Sequence, residues 1–257
     1  MSTIQINKND IHYLSNTKID GSHPTLFLLH GAGQSHLTWE YQLDYLQALD
    51  GYNFVIPDLP GHGKSDGEGL KSVEEYTEFI KELISELDLK EIIFIGHSMG
   101  GAVAQLLALE EPDYLKAIIL VCTGASMSVA RETLLAVRDN YEVFCEVAPT
   151  RAFAESSPEI LKTKFKEGLQ NTKQKVAYDD LLACNVFDIS DKISGINIPT
   201  LIIAGSEDIL TIPKRSEYLH HQIFDSELHI VEGSGHFVMQ EKTEEFNALV
   251  FDFIESL

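Results

Sequence analysis

Ile92-Ile93-Phe94-Ile95-Gly96-His97-Ser98-Met99-Gly100-Gly101 is the stretch that decides how this chain folds. A short apolar run ends in Gly-x-Ser-x-Gly, and apolar residues at helical spacing (Ala102, Val103, Leu106, Leu107) follow at once. The pattern predicts a strand, a sharp turn and a helix, with Ser98 at the apex. Gly96 and Gly100 remove Cβ atoms where strand and helix would otherwise collide. The turn holds the serine hydroxyl at the carboxyl edge of a sheet and at a helix N-terminus, where developing negative charge is favoured. Gly-x-Ser-x-Gly recurs by chance; the strand before it and the helix after it are what point to a nucleophile.

On either side of this turn, buried strands alternate with helices. Gln5–Asn7 and Asp10–Ser15 read as two strands around a turn at Asn9-Asp10. Thr25–Leu29 is a continuous apolar strand ending at His30-Gly31, and Asn53–Asp58 is another, followed by the loop Leu59–Ser65. A helix is predicted from Ser72 to Leu87. Ser72 and Glu75 form a capping pair there, and Val73, Tyr76, Phe79, Ile80, Leu83, Ile84 and Leu87 make one apolar stripe. Further strands are predicted at Ala117–Val121, Ile198–Gly205 and Glu227–Val231, and a final helix carries Phe246, Leu249, Val250, Phe253 and Ile254 on one face. Fully apolar strands alternating with helices imply an α/β fold with a mostly parallel, doubly covered central sheet. The alternation breaks from 125 to 196, a charged, helix-prone segment with Pro149 and Pro158 as breaks. It reads as an inserted helical cap, so the core is expected at 1–124 and 197–257.

With 257 residues, 44% of them hydrophobic, the chain can bury the core of one such domain. Its net charge of -21 argues against nucleic-acid and anionic-membrane partners and disfavours highly anionic substrates. Cys122, Cys145 and Cys184 are too widely spaced for a disulfide framework or a zinc site. The N-terminal residues Met1 to Lys8 lack the apolar core of a signal peptide, and no apolar run is long enough to cross a bilayer. A cytoplasmic protein without metal or organic cofactor is expected; the oligomeric state is not legible.

A serine hydroxyl is a weak nucleophile at neutral pH and needs a base, itself oriented by an acid. Of ten histidines, His236 sits in a glycine-bracketed loop just after the last strand, where it can reach over the sheet edge towards Ser98. Asp208 follows the penultimate strand and can point at the same edge; its neighbour Glu207 is expected to face away. Thr123-Gly124-Ala125, after the earlier strand, offers no carboxylate. The N–H of Met99, next to the nucleophile, and that of Ala32, in the glycine-rich loop after Leu29, are the expected oxyanion donors. The pocket is expected to use Gly31, Gly33, Gln34, Met127, Ile209, Phe237 and Val238, with Leu134, Val137, Tyr141 and Phe144 of the cap closing over the acyl chain. His30, His62 and His97 read as structural, as does the Asp58–Ser65 loop.

Four motifs in order, His30-Gly31-x-Gly33, Asp58-x-Pro60-Gly61-His62-Gly63-x-Ser65, the serine turn, and Gly205-x-x-Asp208 with Gly235-His236, resemble the α/β-hydrolase superfamily. The spacing of Trp39 behind His30-Gly31 resembles small carboxylesterase-like serine hydrolases. The resemblance covers about 11–123 and 198–257 and implies an α/β-hydrolase fold. Serine at 98 departs from the epoxide hydrolases and haloalkane dehalogenases of this fold, which carry aspartate there. His97 and Met99 depart from the elbow usual in proline iminopeptidases. The expected activity is cleavage of a small to medium carboxylic ester through an acyl-enzyme. Thioesters, lactones, monoacylglycerols and carbon–carbon bonds stay open on the same residues, as does a ligand sensor that turns over slowly or once.

Overall fold

The computed structural model describes residues 2–16, 19 and 21–257; Met1, part of the N-terminal segment read above, lies outside them. β1 (Ser2–Ile6) and β2 (Asn9–Ser15) form an antiparallel hairpin. Its turn is at Asn7 and Lys8, both at positive φ (50° and 70°), not at Asn9-Asp10 as expected. Two successive positive φ values match the right-handed twist of the strands they join. Then come β3 (Thr25–Leu29), β4 (Asn53–Pro57), β5 (Ile92–His97), β6 (Leu115–Val121), β7 (Thr200–Gly205) and β8 (Ser226–Val231). The eight-stranded sheet runs β1-β2-β4-β3-β5-β6-β7-β8, with every pair from β4 to β8 parallel.

Successive residues of the central strands feed opposite faces, as a period of two requires. On one face Phe27, Leu29, Val55, Phe94, Ile118, Leu120 and Ile202 join α2 (Val73–Glu86), α3 (Met99–Leu109) and Leu219 of α8 (Pro213–Gln222). On the other, Leu26, Leu28, Phe54, Ile56, Ile93, Ile95, Ile119 and Ile203 pack with Trp39 and with α10 (Thr243–Glu255). This is the doubly covered sheet that the apolar strands required.

Helix starts follow local chemistry. The Ser72 hydroxyl caps α2 by accepting the Glu75 N–H at 3.2 Å, while the Glu75 carboxylate takes the N–H of Lys71 and not that of Ser72. A 3₁₀ turn at His36–Gln42 leads into α1 (Leu43–Ala48), where no helix was expected. The turn buries His36, Thr38, Trp39 and Gln42, so no apolar stripe announces it.

The insertion holds four helices: α4 (Arg131–Asp139), α5 (Tyr141–Ala152), α6 (Glu159–Asn171) and α7 (Gln174–Val186). Pro158 caps α6, but Pro149 does not break α5, which runs through it to Ala152. The chain enters and leaves side by side. Ser126 and Asp188 form an antiparallel bridge, and the Ile189 N–H donates to the Ala125 carbonyl at 2.8 Å. Beyond this neck, the short turn Ile193–Gly195 packs on α3 and α8 of the core, so the cap helices occupy less than the 125–196 expected.

Candidate active site

Ser98 joins β5 to α3 with φ 52° and ψ −113°, a conformation that an L-residue adopts only under strain. The turn is pinned on all sides. The Ser98 N–H donates to the Val121 carbonyl at 2.9 Å, and the Ser98 carbonyl accepts from Gly101, from Ala102 and from the Thr123 hydroxyl at 2.8 Å. A Cβ at Gly96 would lie 2.3 Å from the Gly100 carbonyl oxygen, and one at Gly100 would lie 2.5 Å from that of Leu29. The glycines are therefore steric requirements of the turn.

His236 follows β8, and its Nδ1 lies 2.8 Å from Asp208 Oδ2. Asp208 follows β7 and is 2% exposed, whereas Glu207 beside it faces solvent. Burial pushes the Asp208 carboxyl up; the charge of His236 and hydrogen bonds from His236 and Thr211 outweigh it and leave the pKa lowered. Its Oδ1 accepts the N–H groups of Leu210 (2.8 Å) and Thr211 (3.0 Å). A carboxylate held in this way is placed to accept an Nδ1–H from His236 and so to orient its ring.

Gly31 presses on the serine turn: a Cβ built there would lie 3.1 Å from Ser98 Cβ. The loop is fixed by His30, whose Nδ1–H donates to the Gly31 carbonyl at 2.9 Å and whose Nε2 accepts the Leu59 N–H at 3.1 Å. Both bonds require a neutral ring, in keeping with burial and neighbouring His62 lowering its pKa to about 4. Among the described residues, neither the Ala32 N–H nor the Met99 N–H has a protein acceptor.

Ser98, His236 and Ala32 face one cavity of about 420 Å³ between core and cap. Of the residues named for the pocket, Gly31, Gly33, Gln34, Met127, Phe144, Ile209 and Phe237 line this cavity; Leu134, Val137, Tyr141 and Val238 do not. α4 turns Thr133 and Ala136 to the cavity and buries Val137 in the cap. The Tyr141 hydroxyl donates to the Leu169 carbonyl at 2.7 Å, and Val238 sits in the core beneath the site. On α4 the apolar spacing marks the face that packs, and the pocket wall takes the smaller Thr133 and Ala136 beside it; on α5 the wall is the apolar Val143, Phe144 and Val147.

A family model described as alpha/beta hydrolase fold matches residues 24–243. The chain belongs to the α/β-hydrolase family. Among solved structures, a thermophilic esterase is 31% identical, with a TM-score of 0.85, over 99% of this chain and 97% of its own. An enol-lactonase from Burkholderia xenovorans LB400 superposes with a TM-score of 0.90 over 99% of this chain and 100% of its own, at 22% identity. Among curated proteins, 3-oxoadipate enol-lactonase 2 of Acinetobacter baylyi is 27% identical over 88% of this chain and 87% of its own.

Within this α/β-hydrolase, sequence reasoning passed over Thr211 and Glu241 and the particular contacts that His97 and Phe237 make. The Thr211 hydroxyl lies 2.7 Å from Asp208 Oδ2, 2.8 Å from the Cys122 carbonyl and 3.1 Å from His236 Nδ1. Glu241 of α9 (Val238–Glu241) holds the histidine loop through the N–H groups of Gly235 (2.9 Å) and Phe237 (3.2 Å). Its other oxygen takes the Ala154 N–H (2.9 Å) and the Ser157 hydroxyl of the cap. The fully buried His97 donates Nε2–H to the His236 carbonyl at 2.9 Å; burial and nearby His236 push its pKa well down. Phe237 stacks on Phe153 at 5.0 Å and meets Phe165 edge-on, closing the junction of cap and core beside His236. None of these contacts has a local sequence signature.

Two clusters, His12–His36–Asp58 and Cys122–Asp208–His236, bring possible metal ligands within 4.8 Å of one another. In the first, both Nδ1 atoms already bond to Asp58, at 3.0 and 2.9 Å. In the second, the His236–Asp208 bond accounts for the proximity, and burial holds the Cys122 thiol in its protonated form. No helix among the described residues is long and apolar enough to cross a membrane.

Proposed function

We propose that the protein is a serine hydrolase that cleaves a small to medium carboxylic ester by way of an acyl-enzyme. The observation that carries this reading is the convergence of a strained Ser98, a His236–Asp208 pair and two free backbone N–H groups around one largely apolar cavity. In this mechanism His236 Nε2 takes the Ser98 proton as the oxygen attacks the ester carbonyl. Asp208 holds the imidazolium, and the Ala32 and Met99 N–H groups receive the oxyanion. The alcohol leaves with a proton from His236, and water then attacks the acyl-enzyme by the same route.

The likeness to a thermophilic esterase over nearly the whole chain supports an ester as substrate. A lactone, a cyclic ester cleaved by the same steps, is the second reading; the relation to 3-oxoadipate enol-lactonase 2 favours it. The cavity volume of about 420 Å³ suits a small molecule.

Hydrolysis of p-nitrophenyl esters of increasing acyl length, with wild type and Ser98→Ala in parallel, tests the proposal. Multiple turnover that the substitution lowers by several orders of magnitude is expected. Near wild-type turnover by Ser98→Ala would overturn it. A single turnover by wild type would favour the ligand sensor.

A further inference from the structure

Gly33 is held by the cap from both sides. It occupies the third position of a turn closed by the Gln34 N–H on the Gly31 carbonyl (3.2 Å), with φ +67°. A positive φ at this position suits glycine, and glycine leaves the turn free to change conformation unless something holds it. Asp180 of α7 accepts the Gly33 N–H at 2.7 Å, and the Thr172 hydroxyl, at the end of α6, donates to the Gly33 carbonyl at 3.0 Å. The Ala32–Gly33 and Gly33–Gln34 peptide planes are both fixed by residues outside the core. The Ala32 N–H, at the first corner of the same turn, is the donor that remains free.

Asp180 is itself fully buried and fully engaged. Besides Gly33 it accepts His62 Nε2–H at 2.7 Å and the Tyr76 hydroxyl. His62 also donates Nδ1–H to the Pro60 carbonyl at 3.0 Å, so both ring nitrogens are donors and the ring is charged. The core thus spends a buried cation on a carboxylate that the cap supplies.

We propose that Asp180 is a positioning residue for the oxyanion loop, so that the seated cap completes the oxyanion site through Gly33 as well as covering the pocket. The inference rests on the serine-hydrolase reading. A turn that shifts by a fraction of an ångström weakens a donor aimed at the tetrahedral intermediate while leaving ground-state binding in the apolar cavity intact.

The test uses p-nitrophenyl butyrate as substrate and phenylboronic acid, which forms a tetrahedral adduct on a reactive serine, as transition-state mimic. Asp180→Leu with His62→Phe removes the acceptor without leaving a lone buried charge. Asp180→Asn keeps an oxygen for the Gly33 N–H. The double variant is expected to lose about tenfold to a hundredfold in kcat with KM changed little, and to lose boronate affinity by the same factor. Asp180→Asn is expected to stay within a few-fold of wild type. Thermal melts establish that each variant is folded; if the double variant is not, Thr172→Val is expected to give a smaller loss with the same kcat pattern. Unchanged kcat in a folded double variant, or in Thr172→Val where that variant stands in for it, overturns the inference, and so does a loss seen only in KM. An inactive Ser98→Ala beside an unaffected Asp180 series removes this inference alone. An active Ser98→Ala removes the serine mechanism and the inference together.

Discussion

Ser98 sits at a backbone geometry that glycine tolerates far better, and the protein retains that strain at the candidate nucleophile. Strain of this kind costs on the order of 1–3 kcal/mol. Ser98→Gly should therefore abolish turnover and yet raise the melting temperature by about 2–4 °C for each kcal/mol relieved, less the entropy cost of the new glycine. Differential scanning calorimetry of the two proteins decides this, and a lower melting temperature for the variant would contradict it. Residues of this kind were legible in the sequence because local geometry demands them: Gly96 and Gly100 around the serine, His236 between glycines, Asp208 directly after a strand. Thr211, Glu241 and Asp180 were not. Their partners lie far away in the chain, and a threonine or a carboxylate in a helix reads as solvated surface until the fold brings a backbone N–H to it.

At the scale of elements, the core strands, α2, α3 and α10 followed from their apolar periods, whereas the cap helices were legible only as one helix-prone segment, the 36–42 turn buries mostly polar side chains, and α8 carries few apolar residues. The wall of the pocket was misread on α4 for a different reason: the apolar stripe that looks like a binding face packs inward. The contacts between cap and core have measurable consequences. Glu241 joins the histidine loop to the segment that follows α5. Glu241→Gln puts an NH₂ where one pair of donors now finds an oxygen, and should cost about 1–3 kcal/mol in denaturant unfolding and lower kcat. Wild-type stability and kcat in this variant would count against it. The His62–Asp180 pair predicts a pH window. Burial lowers the His62 pKa, but Asp180 outweighs it and holds the group above 6.5; burial raises that of Asp180, but His62, Tyr76 and Gly33 hold it below 3.8. His62 therefore contributes fully below pH 6.5 and loses its contribution as pH rises through its folded value. Asp180 contributes fully above pH 3.8 and loses its contribution as pH falls through its own. Neutral His30, Tyr76 and Cys184 and the ionised Asp58 complete the surroundings of the pair. The stability difference between wild type and Asp180→Leu/His62→Phe should be greatest from pH 3.8 to 6.5 and shrink on either side. A difference that does not vary with pH would show the pair to be uncharged.

Over the whole molecule, the charge of -21 sets which substrates approach easily. Repulsion of anions is screened within about 10 Å at 0.1 M salt. The kcat/KM for a carboxylate-bearing ester should rise with ionic strength from about 0.01 to about 0.15 M, while that for a neutral ester of equal size stays level. Equal responses would mean that the cavity mouth is insulated from the net charge. The neck at Ser126 and Asp188 has a consequence of another kind. An excursion of some sixty residues begins and ends within one hydrogen-bonded bridge, with Arg215 of α8 bonding the Ser126 carbonyl and, at 2.9 Å, the Ser128 hydroxyl. The sheet does not register the length of what lies between, so natural variation can lengthen, shorten or replace the cap there as a cassette. The cassette is not neutral cargo, however. Any replacement must again bring an acceptor to the Gly33 N–H and a counter-charge to His62, so the freedom to diversify specificity at this neck is bounded by a debt to the core on the far side of the pocket.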